Sequence, residues 1–200
     1  MPAGTRPRHP FRYPKKPHVR RHTPPAFRSH HSFKDCLRDE FIFRCVYCLS
    51  RETWYPNDAA FGVDHYRPKS RYAIGKVAYP NLLYACNRCN SAKGSQELPL
   101  SLFPETNPYY KHLWIEPHGT IRARTAEGSL LINVLRLDLE DMNRWRRKYY
   151  AMLKEALRKK HHPIARECLR DFFGFPASMP ALGRWAINPY AFRSGLPPWY

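Results

Sequence analysis

Eight residues between Cys45 and Asn90 have the types and spacing of a reactive site. Two C-x-x-C pairs, Cys45/Cys48 and Cys86/Cys89, bracket an Asp-His pair, Asp64-His65, with Asn81 ahead of the second pair and Asn90 directly after it. Two residues between cysteines let one tight turn aim both thiolates at a single ion, so the four sulfurs predict a tetrahedral structural zinc site. The competing reading is two buried thiol pairs or disulfides. The chain has no hydrophobic signal segment, so the expected setting is the reducing cytoplasm, where disulfides are disfavoured.

The other four residues suit hydrolysis of a phosphodiester, which needs an activated water, stabilised phosphate charge and help for the departing oxygen. His65 can take a proton near neutral pH and is the expected general base. Asp64 and Asn90 offer hard oxygen ligands, matched to Mg²⁺ or Mn²⁺ rather than to thiolate-bound zinc. Adjacent side chains on a strand face opposite ways, so the expectation is that Asp64 and His65 sit at a turn or bulge. Asn81 is expected to orient the loop or the His65 ring. Arg67, Lys69 and Lys93 are the candidates for phosphate contact.

The elements that must position these groups read in order as a strand, Ala59 to His65, a turn at Pro68, a second strand or loop over Val77 to Tyr79, the approach Asn81 to Ala85 into the second cysteine pair, and a helix from Cys89 that Gly94 ends or kinks. Upstream, Phe33, Leu37 and Phe41 repeat at helical spacing, with Ser29 or Ser32 as cap. Downstream, apolar runs between 112 and 134 suggest a small hairpin. A long helix then starts with Asp138 as N-cap and Asp141 at the capping-box position, followed by a short helix over Ile164 to Phe173 and irregular, proline-rich chain. Arg144, Arg146, Arg147, Lys148, Lys154, Arg158, Lys159 and Lys160 are expected on the open face of the long helix, lying along nucleic acid or in solvent.

The 200 residues carry 34 Lys and Arg against 16 Asp and Glu, a formal charge of +18, which points to a polyanionic partner and first to nucleic acid. No apolar run is long enough to span a membrane. Residues 1–28 contain no acidic residue and seven prolines, and predict an extended, largely disordered basic arm. Cys36 and Cys168 fall outside any motif and are expected in packing roles.

The order C-x-x-C, Asp64-His65, Asn81-Leu82, Cys86-Asn87-Arg88-Cys89-Asn90-Ser91-Ala92-Lys93 resembles the zinc-knuckle branch of the HNH endonucleases, whose core is the ββα-metal or His-Me finger. The resemblance makes His65, Asn81 and Asn90 the three named letters, with asparagine in place of the third histidine. It implies a metal-dependent endonuclease acting on DNA, most simply double-stranded, and leaving 5′-phosphate and 3′-hydroxyl ends. A looser likeness at Leu102-Phe103-Pro104, Asn107-Pro108, Gly119-Thr120-Ile121 and Leu135 to Leu137 is to bacterial HNH proteins of anti-phage systems, and implies a protein partner in a defence or mobile-element setting. The fold expected is α+β: a basic arm over 1–28, a zinc-stapled nuclease core over 29–105, and a mostly helical extension over 106–200. The alternatives are a non-catalytic zinc-knuckle module that binds nucleic acid, or a nuclease for RNA or branched DNA.

Overall fold

The computed structural model of the chain describes residues 10–72 and 76–182. Its centre is an antiparallel pair, β1 (Phe61–His65) and β2 (Leu82–Cys86), in register from Phe61 opposite Cys86 to His65 opposite Leu82. Helix α2 (Asn87–Lys93) follows β2 without a linker. It packs over the Gly62 face of β1, where a Cβ would lie in ordinary contact at 3.5 Å from Asn87 Oδ1 and 4.0 Å from Asn90 Nδ2. Gly94 ends the helix at φ 52°, ψ −128°, a backbone state that favours glycine.

Helix α1 (Lys34–Glu40) is entered through a 3₁₀ turn, His30–Phe33, whose cap Ser29 accepts a hydrogen bond from the His31 amide. Phe33, Leu37 and Phe41 are all buried, as helical spacing required. The chain then reverses into the first cysteine pair through Ile42 and Phe43, both left-handed at φ 57° and 53°. Two non-glycine residues in that region cost of order 1–3 kcal/mol each. The reversal is held by the Phe43 amide on Arg38 O and by the Glu52 amide on Phe43 O. Beneath it Arg38 forks onto Glu52 at 2.6–3.2 Å, and Tyr84 donates to the same carboxylate at 2.8 Å, so this buried ion pair is fully engaged.

The C-terminal part is mostly helical. A hairpin does form, from β3 (Leu113–Ile115) and β4 (Ile121–Ala123), but it ends there. The run SLLINVL, expected in the same hairpin region, lies in helix α3 (Ala126–Leu135). Thr125 starts that helix by accepting from the Gly128 amide at 3.1 Å, and Leu131, Ile132 and Leu135 form its buried face. Helix α4 (Glu140–Arg158) also starts differently from expectation: Leu139 is the N-cap, and the Asp141 carboxylate accepts from the adjacent Met142 amide. Helix α5 (Pro163–Phe173) folds back on α4, placing Phe172 and Phe173 against Leu153.

The expected basic face of α4 loses one member. Arg146 is fully buried and donates to Gly119 O, Leu137 O and Asn143 Oδ1. It ties α4 to the β3–β4 turn, where Gly119 lies at φ 94° and a Cβ would stand 2.8 Å from the Arg147 amide. Arg147 pairs with Glu140, and Arg158 and Lys159 pair with Glu155.

The basic arm departs most from expectation. Residues 1–9 lie outside the described residues, but 10–28 are packed although they form neither helix nor strand. Phe11 is 1% exposed between Trp54 and Trp145, and the Tyr13 hydroxyl donates to Tyr47 O. The Arg21 and His22 amides donate to Glu40, the Arg21 and His22 side chains reach Asp39, and Arg20 bridges Glu105 and Leu82 O. Both acidic side chains at the end of α1 are fully buried, and buried carboxylates require such partners. Burial opposes charge on Glu40, yet the hydrogen bonds from His18 and the two amides hold its pKa down at about 2. The arm is therefore a strap: Arg20 and Arg21 are used inside the protein, while Arg12, Lys15, Lys16 and Arg28 stay exposed. At the other end 174–182 are irregular as expected, and the rest of the proline-rich tail, 183–200, lies outside the described residues. Among the described residues no helix is long and apolar enough to cross a membrane.

Candidate active site and metal centre

The four knuckle cysteines converge although 37 residues separate the two pairs. Cys45 and Cys48 flank a tight turn that the Leu49 amide closes onto Cys45 O, with Leu49 left-handed at φ 63°. Cys86 is the last residue of β2, and Cys89 lies in the first turn of α2. All four sulfurs are buried and lie within 4.8 Å of one another, with Cys48 and Cys86 at 3.6 Å. A tetrahedral ion with bonds of about 2.3 Å would set its sulfurs roughly 3.8 Å apart, so the cluster fits zinc. All four are free thiols in this structure. The site could hold a structural metal such as zinc. Cys36 and Cys168 stand outside it.

The adjoining polar site is built on the end of β1. Asp64 and His65 both belong to the regular strand, without a bulge, so the expected turn does not form. Their side chains take opposite faces. Asp64 shares the Gly62 face towards α2, where its Oδ1 is 3.1 Å from Lys93 Nζ and its Oδ2 accepts from Tyr47 at 2.5 Å. Asn90, one turn before Lys93, donates its amide to Val63 O at 3.4 Å, which leaves its side-chain oxygen for a ligand. Lys93 was expected to meet phosphate, but its side chain is fully buried; the ammonium also donates to His65 O at 2.6 Å. It holds the strand end and the Asp64 charge in place.

His65 is buried on the other face. Its Nε2 lies 2.9 Å from Lys76 O, and a carbonyl can only accept, so Nε2 carries the proton and Nδ1 keeps its lone pair. Burial lowers the His65 pKa below that of free imidazole. Lys69 and Lys93 add to this, while the Lys76 hydrogen bond and Asp64 oppose it. Asn81 braces the loop after β1, accepting from the Arg67 amide at 2.8 Å and donating to Arg67 O at 3.1 Å. Arg67 lies over the Tyr72 ring, and Lys69 is exposed just beyond.

Two participants were not foreseen. Tyr47, between the first cysteines, links the metal centre to Asp64; a hydroxyl inside a C-x-x-C turn was the available signal. His30 brings its ring to 4.7 Å from that of His65, from a turn that sequence spacing marked only as a helix start.

No curated protein gave a match to the chain. Residues 45–96, about a quarter of the chain, match the HNH endonuclease family, whose members are generally nucleases acting on nucleic acid. The match runs from the first cysteine past Lys93 and so covers both pairs, β1, β2 and α2. With its four cysteines clustered as in the zinc-knuckle branch, this segment is identified as an HNH endonuclease domain.

Proposed function

We propose that the protein is a metal-dependent endonuclease that hydrolyses phosphodiester bonds in DNA, with His65 as general base. The observation that carries this reading is the Nε2 to Lys76 O hydrogen bond, which fixes one tautomer and leaves Nδ1 to take a proton from water. The lowered pKa keeps the ring neutral, and so able to act, at neutral pH.

Asp64 and Asn90 would hold a divalent ion, Mg²⁺ or Mn²⁺. An ionised carboxylate has about four acceptor positions. Tyr47 and Lys93 use two of those on Asp64, and the Asn90 amide oxygen adds a neutral hard donor. A bound ion supplies Lewis-acid stabilisation of the phosphate and of the departing 3′ oxygen. Lys93 pairs with the Asp64 carboxylate and Asn81 keeps the Arg67 loop in place, while Lys69 and Arg67 meet the substrate backbone. Ends with 5′-phosphate and 3′-hydroxyl are expected.

The test is cleavage of supercoiled plasmid by wild type and His65→Ala at matched zinc content, with Mg²⁺, Mn²⁺ or EDTA. Loss of general-base catalysis should lower the rate by about 10²–10⁴-fold. Wild-type rates in the variant would remove His65 from this role. If neither protein cuts DNA, RNA or branched DNA with any ion, the catalytic reading falls.

A further inference from the structure

We propose that His30, which lies outside the HNH segment, is a positioning residue for His65. The Lys76 carbonyl holds the His65 ring only at Nε2, and a ring tethered at one atom can still rock about its own bond to the backbone. The His30 ring stands against it, edge to face, with centroids 4.7 Å apart and planes at 63°. Contact on the ring and a hydrogen bond on its rim together restrict the imidazole to one orientation, and thereby the direction of Nδ1.

His30 is itself well fixed. Its 3₁₀ turn is capped by Ser29 and anchored by Phe33, which is 2% exposed and packs on Phe27 at 4.9 Å and Tyr79 at 5.3 Å. The His31 ring lies tilted against it, with centroids 4.0 Å apart and planes at 37°. Burial, then His31, His65 and Lys69, lower the His30 pKa to about 4, so a neutral ring adjoins His65. A neutral neighbour does not oppose the positive charge that a general base acquires as it takes a proton. The 3₁₀ turn between the strap and α1 therefore helps to build the site, and the HNH segment alone lacks this contact.

The inference rests on the nuclease reading for its kinetic consequence but not for its structural one, so two readouts are paired. The first is the imidazole ¹H–¹⁵N spectrum of the zinc-loaded full chain, with His65 assigned by comparison with His65→Ala. Wild type should show His65 as one sharp tautomer protonated at Nε2. His30→Ala should show it broadened or averaged, and His30→Phe, which restores a flat ring, should return the sharp signal. The second is plasmid cleavage. His30→Ala should lose about 10–100-fold in kcat, the scale of a misplaced catalytic group, with KM within about threefold. His30→Phe should recover to within about threefold of wild type. Because His30 is partly exposed, zinc content and melting should match wild type in both variants.

A sharp His65 signal in His30→Ala overturns the proposal, as does a wild-type kcat. A phenylalanine variant as impaired as the alanine one overturns it too, since the imidazole itself would then be required. A raised KM at unchanged kcat makes His30 a substrate contact instead. If wild type cuts no nucleic acid, the nuclease reading fails and the spectrum alone decides.

Discussion

Lys93→Met isolates the charge balance at the polar site. The substitution keeps most of the side-chain volume, so it opens little cavity. It removes the ammonium that meets Asp64 Oδ1 at 3.1 Å and His65 O at 2.6 Å, where the Lys93 and Asp64 side chains are 0% and 3% exposed. Asp64 is left with Tyr47 as its hydrogen-bond partner, as a buried carboxylate without a counter-ion. Removing one member of a buried pair costs about 3–5 kcal/mol. For a chain of this size each kcal/mol lowers Tm by about 2–4 °C, so a fall of about 6–20 °C is expected. Urea unfolding of the zinc-loaded protein, followed by tryptophan fluorescence without added divalent ion, measures the loss. The double variant Asp64→Asn/Lys93→Met removes the stranded charge and should recover about 1–3 kcal/mol relative to the sum of the single losses. A Lys93→Met protein within about 1 kcal/mol of wild type would refute the argument. So would strict additivity in the double variant.

Three further outcomes follow from the packing. Cys86→Ser should bind no zinc and lose the native melting transition, because structural zinc contributes about 10 kcal/mol or more to such folds; an unchanged transition without metal would show that the cluster is not structural. Glu40 has its folded pKa at about 2, below the 4.5 of the unfolded chain. Its contribution, of order 3 kcal/mol, is thus complete above about pH 4.5 and is lost as pH falls towards 2. Glu40→Gln should flatten that acid limb in pH-resolved unfolding, and an unaltered slope would contradict the assignment. Phe11→Ala should cost about 3–5 kcal/mol, as for a core aromatic. A disordered arm would show no loss in the same melt.

The metal centre was legible because C-x-x-C spacing is itself a geometric constraint, and the ordered Asp64, His65, Asn81 and Asn90 lay between fixed points. β1 and α2 were legible from Phe61 and Val63 alternating with Gly62, and from Gly94 as a stop, whereas the second strand was expected over Val77 to Tyr79 and lies instead over Leu82–Cys86, after a 3₁₀ turn that Pro80 helps to form. What escaped depends on contacts distant in sequence. Proline correctly kept residues 10–28 out of helix and strand, but Phe11 and Tyr13 still found a core to enter. SLLINVL carries strand-like residues, yet the Thr125 cap and the close seat of Gly128 against His112 make it helical. Arg146 looked like surface charge because three backbone and amide acceptors cannot be seen in a list of residues. Lys93 was misassigned for a related reason: one turn after Asn90 on α2 points it at Asp64 rather than outward.

The strap also sets an order of assembly. The four cysteines are all in hand once Cys89 has been synthesised, so the metal centre can close early. Residues 11–22 are made long before it, yet their seats include Leu82 O, Pro104 O, Glu105 and Trp145. Contacts spanning so much chain are the slow ones to form. The first described part to leave the ribosome is thus among the last to dock, and it fastens a cysteine-knuckle core that already exists.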